Sequence, residues 1–91
     1  MLLGDRQKER LVLTLPAMID CERAQNDQEN PRFYTVRALR HLYRLDRNLS
    51  TDVWNAIAAL ENGLSYQDEQ GVRDSASFAL DHLRRAWKAT A

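Results

Sequence analysis

Five arginines fall between Arg32 and Arg47 against a single acid, Asp46, a local charge of +4 in a chain whose thirteen Lys and Arg otherwise balance thirteen Asp and Glu. At about 100° per residue, Arg37, Arg40, Arg44 and Arg47 share an arc of about 120° on one helix, with Phe33 and His41 on the same side. A guanidinium makes planar, bidentate contacts to carboxylate or phosphate, and Arg with aromatic residues carries much of the energy of protein interfaces. The candidate binding residues are therefore Phe33, Arg37, Arg40, His41, Arg44 and Arg47. The chemistry they offer is recognition of an acidic protein surface or, as the alternative, of nucleic-acid phosphates by a small transcriptional regulator. With no net charge, the whole chain lacks the basic excess of a general nucleic-acid binder, so any such role is local to this stripe.

Catalysis and metal ligation find less to work with. A side-chain nucleophile needs a base and an orienting group, and neither of the two histidines, His41 and His82, adjoins a Ser or Cys in an elbow or triad setting. Both read as partly exposed helix residues. Arg37 and His41 are similar to the Arg-to-His motif of helical ribonucleases of the HEPN type, but their spacing is shorter and the polar residue after the Arg is absent, so no residue is carried over. Cys21, His41 and His82 lie in three separate segments, too few and too scattered for a zinc site. Gly4, Gly63 and Gly71 stand alone, so no phosphate-cradling loop exists either. The expectation is a non-enzymatic chain with no metal or cofactor. The segment Ala59 to Ser65 resembles the turn of helix-turn-helix domains, but Asp68, Glu69, Gln70 and Gly71 follow where apolar residues belong, and acids there would face phosphate.

An alternative role for the arginines is self-neutralisation. Asp52, Glu61, Asp68, Glu69 and Asp74 outnumber Arg73 and leave residues 52–74 at −4, so ion pairs within the chain or across a dimer are available. At 91 residues the chain holds one domain, 1–91, and small cores often gain stability by association, which makes a homodimer the expected state. The lone Cys21 suits a reducing compartment and reads as a small, half-buried helix residue. The first residues turn charged too soon for a signal peptide, and no window approaches the ~18 apolar residues of a membrane span, so a cytoplasmic protein without membrane contact is expected.

The elements that must position the stripe are all helical. Three Gly and two Pro fall where helix punctuation belongs, and no period-two pattern persists. The spacing predicts a small antiparallel three- or four-helix bundle. Its first helix spans about 5–24, with a kink at Pro16 or a stop near Leu13 and a restart at Thr14, and its apolar side carries Leu11, Leu15, Met18 and Ile19. A second helix over 31–47 opens on Asn30 as cap and Pro31 at the first position, with Val36, Ala38, Leu39, Leu42, Tyr43 and Leu45 inward. A third over 51–62 is capped by Ser50, buries Val53, Trp54, Ile57, Leu60 and Leu64, and stops at a left-handed Gly63. Ser65 then caps a fourth over 66–88, which starts at about Tyr66 or just after Gly71 and turns Val72, Ala76, Ala79, Leu80, Leu83 and Trp87 inward. The segments 38–44 and 79–85 share five identities around their histidines, an echo that helix convergence explains more simply than duplication.

Overall fold

A computed structural model describes residues 11–26, 30–45, 49–66 and 68–89. Among them the chain forms four helices, α1 (Thr14–Asn26), α2 (Pro31–Leu42), α3 (Thr51–Gly63) and α4 (Glu69–Lys88), and no strand. The result is the expected small all-α bundle. Packing is most extensive within two successive hairpins, α1 with α2 and α3 with α4; the α1–α4 face joins them, and α2 touches α3 more lightly.

Three helix starts follow from local hydrogen bonding. The side chain of Asn30 accepts from the Phe33 N–H at 3.2 Å with Pro31 in the first turn, and Ser50 Oγ accepts from the Val53 N–H at 3.0 Å. The third cap is Asp68, not Ser65: its carboxylate accepts from the Gly71 N–H at 2.8 Å, while Ser65 Oγ turns back to donate to the Asn62 carbonyl at 2.6 Å. A carboxylate beside the positive end of a helix dipole is the better cap for a helix that opens at Glu69.

The region around Pro16 resolves as a restart. Val12 and Leu13 form a turn, the Leu15 N–H bonds back to the Val12 carbonyl at 3.0 Å, and α1 begins at Thr14. Proline supplies no N–H for the carbonyl four residues earlier and its ring crowds that carbonyl, so a continuous helix through Val12 is excluded. Residues 5–10 of the expected first helix lie outside the described residues. The second helix is shorter than expected and ends at Leu42; residues 44–45 tighten into bonds three residues back, such as Leu45 N–H to the Leu42 carbonyl at 2.9 Å.

The buried face of α1 is the main departure from the periodicity reading. Thr14, Ala17, Asp20, Cys21 and Ala24 are buried, whereas Leu15 and Ile19 point to solvent and Met18 is only partly covered. Small side chains set a short interaxial distance, and α1 spends its small face on two neighbours, α2 and α4, leaving its large apolar residues outside. Val36, Tyr43 and Trp54, also expected inside, are exposed, and Trp87 is partly buried. Gly63 is not a left-handed stop, since no glycine among the described residues has positive φ. It is the buried last residue of α3, where an added Cβ would sit 2.8 Å from Ser75 Cβ on α4. The glycine is there for close approach of two helices.

Two polar groups close the core. Thr14 Oγ1 donates to the Leu11 carbonyl at 2.7 Å and accepts from Trp87 Nε1 at 2.7 Å, so one buried hydroxyl ties the start of α1 to the end of α4. Thr35 Oγ1 donates to the Pro31 carbonyl at 2.8 Å inside α2. Both buried hydroxyls are thereby paired, which removes the desolvation cost of an orphan.

Candidate functional site: the outer face of the second helix

The core contacts of Thr35, Ala38, Leu39 and Leu42 orient α2 and turn the opposite side to solvent. On that side lie Phe33, Val36, Arg37, Arg40, Tyr43 and Arg44, all exposed. Five of the six candidate residues are thus on or beside one surface; Arg47 lies outside the described residues. Val36 and Tyr43, assigned to the core by periodicity, belong to this surface. The Arg37 guanidinium lies over the Phe33 ring, 5.6 Å from its centroid, and Phe33 meets Tyr34 edge to face at 5.3 Å. Arg23 on α1 covers the Tyr34 ring at 5.9 Å, so the aromatic and cationic surface continues onto the neighbouring helix.

The cations of the face divide into two groups. Arg37 Nε and His41 Nε2 approach Asp20 Oδ2 at 3.8 and 3.4 Å, and the side chain of Asp20 is only 4% exposed. A buried carboxylate costs several kcal/mol in the absence of compensation, so these two residues hold the α1–α2 hairpin together as well as lining its surface. Arg40 and Arg44 have no ion-pair partner among the described residues. Of the acids of residues 52–74, Asp52 pairs with His82, Glu69 with Arg73 and Asp74 with Gln70, while Glu61 reaches the α2 face itself, accepting from the Tyr43 hydroxyl at 2.9 Å.

Asp20 is the residue that sequence reasoning missed. One acid within the apolar run Ala17 to Cys21 was the available signal, since a charge there must find a partner. Its neighbour Cys21 is fully buried rather than half-buried, and burial, with the Asp20 carboxylate adding to it, pushes the thiol up to about 12. Such a thiol is not a nucleophile at neutral pH.

His82 is likewise not the partly exposed residue expected. It is buried on α4, its Nδ1 lies 2.8 Å from Asp52 Oδ1 on α3, and its ring meets Phe78 edge to face at 4.7 Å. Both histidines are therefore oriented by a carboxylate, which is half of what acid–base catalysis needs. Among the described residues no Ser, Thr or Cys side chain bonds to either imidazole, and no three His, Cys, Asp or Glu side chains converge on a point. No described helix is long and apolar enough to cross a membrane. No protein-family model, curated protein or solved structure matches the chain.

Proposed function

We propose that the chain is a non-enzymatic helical interaction module, of the inhibitor, antitoxin, immunity or adaptor kind, which docks through the outer face of α2 onto a protein with an acidic surface. The observation that carries this reading is the interleaving of Phe33, Val36 and Tyr43 with Arg37, Arg40 and Arg44 on one exposed helix face. Apolar and aromatic area next to guanidiniums, of which Arg40 and Arg44 have no carboxylate partner among the described residues, is the composition of an interface centre, depleted of Lys and of acids.

The test is capture of partners from native cell lysate by the tagged protein, with and without nuclease, beside an Arg40→Glu/Arg44→Glu variant. This pair leaves Arg37 in place over buried Asp20, so the variant keeps its hairpin contacts. A nuclease-resistant protein lost in the variant is the expected outcome. Recovery of nuclease-sensitive DNA or RNA, weakening steeply with salt, would replace the proposal with a nucleic-acid-binding function for the same residues.

A further inference from the structure

On the far hairpin, Asn62, Tyr66, Asp74, Ser75 and Phe78 line an open cleft of about 360 Å³ between α3 and α4. Tyr66 and Phe78 are 51% and 57% exposed, unusually bare for rings of that size, and Asp74 lines the same cleft, where the Gln70 amide donates to it at 2.9 Å. A carboxylate sharing a cleft with two exposed aromatic rings suits a guanidinium, which is bound by charge on its edge and by ring faces above its plane. We infer that the acidic surface on which the α2 face docks is this cleft on a second copy of the same chain. The inference rests on the proposed function and names its partner.

Charge complementarity selects a second copy as occupant. Of the acids in residues 52–74, Asp74 is the one that lines the cleft, Arg40 and Arg44 on α2 are the matching cations, and the chain as a whole carries no net charge, so copies meet without net repulsion. Both surfaces also hold exposed large apolar residues, Phe33, Val36 and Tyr43 on one and Tyr66 and Phe78 on the other. The pairing is between copies because neither Arg40 nor Arg44 forms an ion pair with Asp74 or any other acid of its own chain among the described residues. Two different surfaces in contact either meet reciprocally across a two-fold axis in a pair or repeat head to tail along a ring or chain of copies.

Sedimentation of the full chain over a concentration series, at about 50 mM and about 300 mM salt, tests this, since salt at the higher level screens surface charge within a few ångströms. Three samples are compared: wild type, Arg40→Glu/Arg44→Glu, and Asp74→Arg, each first shown by circular dichroism to keep its helices. Wild type is expected to associate, more weakly in the higher salt, and each variant alone to lose at least about tenfold in association constant. An equimolar mixture of the two variants retains one intact stripe and one intact cleft, so it is expected to recover a complex that neither forms alone. A wild type that stays monomeric at both salts overturns the inference, as does association that neither variant weakens, which would point instead to the exposed Leu15 and Ile19 side of α1. Loss in both variants without recovery on mixing overturns it too. A lysate partner that persists while self-association fails would leave the proposed docking face standing and remove only the second copy as its partner.

Discussion

The two hairpins solve the same problem in opposite ways. Each joins its helices through one Asp–His pair, but in the α1–α2 hairpin the acid is inside, Asp20 at 4% exposure against 30% for His41, and in the α3–α4 hairpin the imidazole is inside, His82 at 11% against 29% for Asp52. The contacts differ accordingly. Buried Asp20 gathers two partners, Arg37 at 3.8 Å and His41 at 3.4 Å, whereas buried His82 makes a single bond of 2.8 Å. A carboxylate in the interior is costly without positive charge or donors around it, while an imidazole asks for fewer partners. The consequence is functional. The first hairpin must bring cations to its surface to hold its own interior, and the proposed docking face grows from that requirement.

The largest test of this contrast removes both compensating residues. Arg37→Ala/His41→Ala leaves Asp20 buried without a cation and is expected to destabilise by about 3–5 kcal/mol in chemical denaturation. Adding Asp20→Asn should restore part of that loss, because a neutral amide no longer requires a counter-charge. If the double variant costs no more than a surface substitution, the account of the first hairpin fails.

On the second hairpin Asp52→Ala leaves the buried imidazole short of one partner, and a loss of about 1–3 kcal/mol is expected by the same measurement. The contrast with the first hairpin is broken if Asp52→Ala is the more costly of the two.

Two glycines separate close helix approach from simple flexibility. Gly63→Ala pushes a methyl to 2.8 Å from Ser75 Cβ in a buried crossing and should cost about 1–3 kcal/mol, read as a lower melting temperature. Ser75→Gly in the same chain should return part of it. Gly71→Ala meets Tyr66 Cγ at 2.7 Å, but that exposed ring can swing aside, and a helix interior gains up to about 1 kcal/mol from Ala over Gly. The second substitution is therefore expected to lie near neutral.

The smallest effect concerns Cys21. Its thiol is raised in the folded chain from an ordinary value of 9.0 to about 12, so the stability it contributes is complete below pH 9 and is lost as pH rises towards 12. Relative to Cys21→Ala, wild type should lose about 1 kcal/mol by about pH 10, with the thiol inert to alkylation until the chain unfolds. A native thiol alkylated as fast as a free one would contradict its burial between α2 and α4.

What the sequence alone determined is the set of features closed by neighbours within a turn or two. The Asn30–Pro31 and Ser50 starts are visible as residues because an N-cap bond spans only three positions. The all-helical class and the solvent side of Arg37, Arg40 and Arg44 follow from periodicity, since no interior accepts a row of guanidiniums. Tertiary structure decided the rest. Whether α1 buries Leu15 and Ile19 or Ala17, Cys21 and Ala24 depends on how near α2 and α4 come, and contacts such as the Thr14–Trp87 bond, which ties α1 to α4 across 73 residues, are not weighed by periodicity. The same holds for the Asp–His pairs. Their members stand 21 and 30 residues apart in the chain, and only the packed hairpins bring each carboxylate within reach of its imidazole and choose which of the two is kept from water.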